Sequence, residues 1–286
     1  MPRKKKTTQT PTPEQGTQPT NTFAHLPTMA AMFQSVQRDR VGLERALETR
    51  GHPDAEADAI LQQFRKLEID TVKYLTSRCE HSPIYPWLTE IKGIGERIAG
   101  MLIGLIDINK CDTPSALWRY AGFAVVCGAP VGAPVNTETT DGEEGQEVKR
   151  KGRKECRMLF GPDGKCPVHG SAPGVSEQRR VGVKLSFNIK LKKTCFLLAR
   201  SFVLFKTEPY FAEYERSKAY YTERRPTWPL GRRDLAARRK MIKLFLSHLY
   251  NRWRAAENLP IAPPYAQEKL GHSGIVPPPV VSPPSS

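Results

Sequence analysis

The stretch IKGIGERIAGMLIGLIDINKCDTPSALWRYAGF, residues 91–123, decides the fold. Its spacing predicts a short helix, the turn Lys92-Gly93-Ile94-Gly95, and a second helix from near Glu96 with Ile98, Leu102, Leu105 and Ile106 on one apolar face. That is the layout of a helix-hairpin-helix. A turn this tight calls for positive φ, which glycine adopts without strain. Absent side chains also let an anion reach the backbone N–H groups, and the N-terminus of the following helix adds the positive end of its dipole. Contact of this kind holds DNA by its phosphates and does not read its bases. An ordinary αα-hairpin would use the same glycines only to stop one helix and start the next. Lys92, Arg97 and a strongly basic chain favour DNA, with Lys92, Gly93, Ile94, Gly95 and Arg97 as the contacting residues.

Downstream, Asp112-Thr113-Pro114 supplies a cap and a first-turn proline for a helix from Ser115 to Ala121, with Gly122 as its stop. Trp118 and Tyr120 on this helix read as core, with base stacking as the alternative. Upstream, apolar residues recur from Met29 to Thr49 and again from Pro53 to Cys79, so residues 22–84 are expected to form a long helical pair, either a scaffold or a coiled-coil dimerisation arm. Residues 1–21 form a basic tail of Lys, Thr, Pro and Gln with too little to bury to fold.

Residues 124–184 lose all periodicity and form an irregular insertion. Within it, Cys166-Pro-Val-His169 has a knuckle spacing, Cys156 precedes it across a Gly-Pro-Asp-Gly turn, and Cys127 offers a fourth donor. Tetrahedral Zn²⁺ takes four N or S ligands, and such a clip would fold a segment poor in apolar residues. The basic run from Lys149 to Lys154 follows the acids Asp141, Glu143, Glu144 and Glu147; it suits a phosphate-contacting loop or a merely solvated one.

Residues 185–258 are expected to be basic helices. A helix from Leu185 to Phe205 carries Lys190, Lys192, Lys193 and Arg200, which are candidate DNA contacts. A tyrosine-rich helix begins after Pro209. A last helix, Arg233 to about Ala256, is expected to bury Leu235, Ile242, Phe245, Leu249 and Trp253 and to expose Arg238, Arg239, Lys240, Lys243 and Arg252. Residues 259–286 read as an extended proline-rich tail without a core.

The fold class is therefore mainly α, with an N-terminal helical pair, a helix-hairpin-helix core, an irregular insertion and C-terminal helices. The 286 residues carry a formal charge of +15, which points to a polyanionic partner, most often nucleic acid. No apolar run approaches the ~20 residues of a membrane span, and no signal peptide is evident. A cytoplasmic location with six reduced cysteines is expected.

Ile91-Lys-Gly-Ile-Gly-Glu-Arg-Ile-Ala, followed by Ser115-Ala-Leu-Trp-Arg-Tyr-Ala-Gly-Phe, resembles the C-terminal domain of the Piv-type DNA invertases and the related insertion-sequence transposases of the IS-one-ten group. Phe187-Asn188-Ile189-Lys190-Leu191-Lys192-Lys193 is similar to that family's Gly-Asn-x-x-Leu-Arg-Arg helix, with lysines in place of arginines. The resemblance covers roughly residues 87–200 and assigns residues 85–258 to a transposase-like domain. It implies DNA transposition or site-specific recombination, a Mg²⁺-binding acidic tetrad on an N-terminal domain, and a serine nucleophile in the insertion. No counterpart of the tetrad exists here, because the residues ahead of Trp87 read as helices. Ser176 lies at the matching distance before Asn188, although Glu177 follows it where the family has glycine; Ser171 is a further candidate. Mg²⁺ would be needed only if the chain is catalytic, and whether it is an enzyme stays open. The alternative is a non-catalytic module that clamps the backbone of DNA or RNA. Recombination across two duplexes would also require a homo-oligomer.

Overall fold

The computed structural model describes residues 24–51, 54–129, 156, 165–171, 174–176, 185–263 and 276–279. The expected N-terminal tail, the run Lys149–Lys154 and most of the insertion lie outside them. Among the described residues the chain is mainly helical, with eight α-helices and one two-stranded sheet.

Helix α1 (Leu26–Arg50) has Pro27 in its first turn and ends at Gly51, whose φ of 67° turns its N–H back to the Leu47 carbonyl. Helix α2 (Ala55–Cys79) starts at Asp54, whose carboxylate accepts from the N–H groups of Glu56 and Ala57. Helices α3 (Tyr85–Glu90) and α4 (Glu96–Leu105) flank the glycine turn. Helix α5 (Pro114–Tyr120) is capped by the Thr113 hydroxyl, as the sequence predicts. Strands β1 (Val125–Cys127) and β2 (Gly174–Ser176) pair antiparallel within what was expected to be wholly irregular chain. Helix α6 (Ile189–Phe205) begins four residues later than expected, because the Asn188 carboxamide caps it by accepting from Lys190 and Leu191 N–H. Helices α7 (Tyr210–Arg224) and α8 (Leu230–Ala256) complete the chain.

Helix α4 is the centre of the core. Every residue from Ala99 to Leu105 is buried, so this helix is apolar all round rather than on one stripe. Two of them are glycines one turn apart, and they are where the N-terminal pair crosses. A Cβ on Gly104 would lie 3.0 Å from the Ala30 Cβ and 3.1 Å from the Leu26 carbonyl oxygen, and one on Gly100 would lie 3.3 Å from the Leu75 Cβ. The N-terminal pair and the hairpin segment thus share one core, which runs from Leu26 and Phe33 through Leu102 to Phe245 and Trp253. Opposite α1 and α2, an aromatic cluster joins α6, α7 and α8. Phe202 stacks on Tyr210 at 4.7 Å, and Phe245 meets both edge-on at 5.4 and 5.5 Å. Full burial of each such ring contributes about 1.5–3 kcal/mol.

Two expectations for α8 are corrected here. Leu235 is 54% exposed rather than buried, because the first turns of α8 extend past the core. Nor does α8 carry an open cationic stripe. Arg238 pairs with Asp234 at 2.9 Å, and Arg239 donates to the carbonyls of Phe123 and Ala124 at 2.9 and 2.8 Å. Lys243 lies over the Trp118 ring at 4.8 Å, and burial pulls its pKa down to about 8. Of the five cations only Lys240 is exposed, its ammonium over the rings of Tyr220 and Tyr221. Trp118 is partly buried and donates its indole N–H to the Lys243 carbonyl, in keeping with its core reading. The proline-rich tail is also not free throughout, since Val276 and Pro279 hydrogen-bond back to the helices. No helix among the described residues is long and apolar enough to cross a membrane.

Candidate functional site

The three cysteines and the histidine singled out in the insertion come together. The ligand atoms of Cys127, Cys156, Cys166 and His169 all lie within 4.8 Å of one another, and three of the four residues are buried. Cys127 ends β1, and its pairing with Gly174 brings it beside the knuckle that precedes β2. The knuckle is closed by a reciprocal pair of backbone hydrogen bonds between Cys166 and Gly170, at 2.7 and 2.8 Å, with Gly170 at φ 61°. Cys156 is fixed by its own N–H, which donates to the Ala129 carbonyl at 2.8 Å.

The spacing of these atoms suits a tetrahedral ion. Metal–sulfur bonds of about 2.3 Å and metal–nitrogen bonds of about 2.0 Å give edges of roughly 3.5–3.8 Å. The Cys156 and Cys166 sulfurs are 3.8 Å apart, and His169 Nδ1 lies 3.7 Å from the Cys166 sulfur and 3.8 Å from that of Cys127. Backbone N–H groups two residues on point at two of the sulfurs, Ala129 at Cys127 and Val168 at Cys166, both at 3.4 Å. Such donors stabilise thiolate. Burial pushes the Cys127 thiol up to about 11. Burial also raises Cys166, but the Val168 N–H, the His169 ring and the Cys127 thiol outweigh it and bring Cys166 down to about 6. The cluster can hold a metal ion.

The remaining cysteines are of a different kind. Cys79, Cys111 and Cys195 are buried in the helical core, and burial pushes their thiols up to about 12, 11 and 12. They serve as small apolar side chains.

The second expected site is the hairpin. Lys92, Gly95 and Arg97 are exposed, and Ile94 is buried as the anchor of the turn. The two glycines have different roles. Gly93 sits at φ 91°, and a Cβ there would meet the Ser201 hydroxyl at 2.8 Å and the Phe205 ring at 3.2 Å, so it is packed against α6. The Ser201 hydroxyl donates to the Gly93 carbonyl at 2.6 Å and the Thr207 hydroxyl to the Lys92 carbonyl at 2.7 Å. Nothing lies within 4 Å of a Cβ on Gly95, and no side chain caps α4 there. The turn is therefore held by its carbonyls from behind, while the start of α4 faces solvent. Glu96 is exposed in the same first turn and opposes an anion.

The α6 cations are not equivalent. Lys190 donates to the Ala31 carbonyl at 3.0 Å and so ties α6 to α1, and the Lys192 ammonium lies 4.3 Å from the Phe187 ring centroid. Lys193 and Arg200 are exposed. Ser176 is the last residue of β2, its Cα opposite that of Val125, and Ser171 is exposed just after the knuckle. His169 turns Nδ1 to the thiols, so that nitrogen is not placed to serve as a general base.

Ser201 and Thr207 escape sequence reasoning, because a hydroxyl on a helix and one just beyond its end give no signal of a distant turn. No family model, curated protein or solved structure matches this chain.

Proposed function

We propose that this is a DNA-binding protein of the transposition and site-specific recombination type, holding duplex DNA by its backbone at the Lys92–Arg97 turn. The observation that carries this is the start of α4: an uncapped helix N-terminus at an open glycine, between the exposed cations Lys92 and Arg97. A phosphate oxygen reaches the first N–H groups of the helix there while the two side chains neutralise its charge. The formal charge of +15 and the exposed Lys193 and Arg200 support the same partner. RNA backbone presents the same phosphates and is the competing ligand.

The cysteine–histidine cluster is assigned to a structural Zn²⁺, the ion whose tetrahedral three-sulfur, one-nitrogen coordination these residues fit. Its task is to fold the insertion beside α8, to which Arg239 ties the start of β1.

The alternative, a non-catalytic backbone-binding module, has one observation in its favour. Ser176 lies in a paired strand, its Cα opposite that of Val125, rather than in an irregular loop. Fluorescence anisotropy with a labelled duplex at rising salt tests the binding claim: log K should fall linearly with log salt. Parallel denaturing gels with Mg²⁺ separate the two readings. A protein–DNA adduct that survives denaturation and disappears in Ser176→Ala makes the chain a recombinase, and salt-sensitive binding without an adduct makes it a binding module.

A further inference from the structure

The segment Val276-Pro277-Pro278-Pro279 has one backbone conformation open to it. Each proline fixes φ near −65°, and a residue that precedes proline is pushed out of the helical region, which applies to Val276, Pro277 and Pro278. The result is a turn of polyproline II helix, with three residues per turn and no internal hydrogen bonds. Carbonyls three residues apart, those of Val276 and Pro279, therefore lie on one side of it.

Three side-chain donors meet that side. His248 Nε2 lies 2.8 Å from the Val276 carbonyl oxygen, and the Trp87 indole N–H and the Arg252 guanidinium both donate to the Pro279 carbonyl at 3.4 Å. Since a carbonyl only accepts, His248 carries its proton on Nε2. Its Nδ1 then accepts from the Tyr210 hydroxyl at 3.2 Å, which fixes the ring. His248 and Arg252 are one turn apart on α8, and Trp87 of α3 is stacked on Phe245 at 6.3 Å. These donors, set on α3 and α8, meet the segment at the spacing of one polyproline turn.

We propose that the site between α3 and α8 formed by Trp87, His248 and Arg252 is a recognition site for proline-rich segments. The chain's own Val276–Pro279 is its resident ligand, and a proline-rich segment of a partner protein takes its place. The seated segment shows which chemistry fits: two carbonyls three residues apart on a backbone that donates nothing in return. Covalent attachment to the same chain gives the resident segment an effective concentration of order millimolar, so a partner displaces it only with a better match or a longer proline run.

The test uses the full chain and a fluorescent peptide of residues 274–281, GIVPPPVV, read by anisotropy. Replacing Pro277, Pro278 and Pro279 by glycine within the full chain releases the resident segment without touching the site. The peptide should then bind about tenfold more tightly than to the unaltered chain, and Arg252→Gln in the same background should weaken it. A peptide with glycines for prolines should not bind. Absence of saturable binding to the folded tail variant would overturn the proposal. Should that variant not fold by circular dichroism, the unaltered chain is titrated to millimolar peptide, where saturation supports the site and its absence refutes it.

Discussion

The Ser201 hydroxyl donates to the Gly93 carbonyl at 2.6 Å and joins α6 to a turn 108 residues earlier in the chain. The same contact explains why Gly93 cannot carry a side chain. Positive φ costs an L-residue about 1–2 kcal/mol, and crowding against Ser201 and Phe205 adds about 1–3 kcal/mol. Gly93→Ala should therefore lower stability by roughly 2–5 kcal/mol in a denaturant titration. A midpoint equal to that of the unaltered protein would mean that the turn is not packed in this way.

The cysteine–histidine cluster has its own small core of Cys127, Ala129 and Cys166, separate from the helical one. Cys166→Ser should accordingly cut bound zinc from about one per chain to near zero, as read by elemental analysis, while helical circular dichroism stays unchanged. Because a thiol must lose its proton to bind, and Cys127 is held up to about 11, zinc affinity should rise with pH across the neutral range. Global unfolding on chelation would contradict the separation of the two cores.

His248 gives a pH dependence of stability. Burial, the largest cause, depresses its pKa below the ordinary 6.5; Arg252 acts in the same direction, and the Val276 carbonyl opposes both. A group whose folded pKa is depressed takes up fewer protons in the folded state, so its contribution is complete above pH 6.5 and is lost as pH falls through the lower, folded value. Thermal unfolding followed from pH 7.5 down to 5 should show this loss, and His248→Gln should remove that part of the slope. The prediction fails if the variant and the unaltered chain have parallel profiles.

Much of this was legible in the sequence, for identifiable reasons. Glu96 starts α4 where expected, since a glycine turn meets an unbroken apolar run. The clustering of Cys127, Cys156, Cys166 and His169 has a local signal in the Cys166-x2-His169 spacing. The strand pairing that delivers Cys127 has none, since Val125–Cys127 and Gly174–Ser176 are each three residues long and lie far apart in the chain. Leu235 shares the apolar face of α8 by periodicity yet is exposed, because periodicity shows which residues share a face but not how far neighbouring helices cover it. Arg239 and Lys243 were expected in solvent for the same reason. The tail contacts are made through carbonyls, which every sequence has, so only Trp87, His248 and Arg252 in place reveal them.

Glu96 is the one acidic side chain in the first turn of α4. Placed beside a bound phosphate, it repels it. Glu96→Gln should tighten duplex binding at low salt by about 0.3–1 kcal/mol, the usual size of a charge effect at a helix end. Weaker binding instead would mean that Glu96 itself contacts the ligand or that DNA lies elsewhere.

The most direct measurement compares Gly95→Val with the unaltered protein. Gly95 lies at φ −87° and ψ 170°, which valine adopts readily, and a Cβ there meets nothing within 4 Å. The substitution should lower stability by no more than about 1 kcal/mol, the cost of a poorer N-cap residue, and place a branched side chain where the phosphate would sit. Binding of a labelled duplex, measured by anisotropy at low salt, should weaken by roughly tenfold, or ~1.4 kcal/mol. Undiminished affinity in the folded Gly95→Val protein would contradict backbone binding at this hairpin.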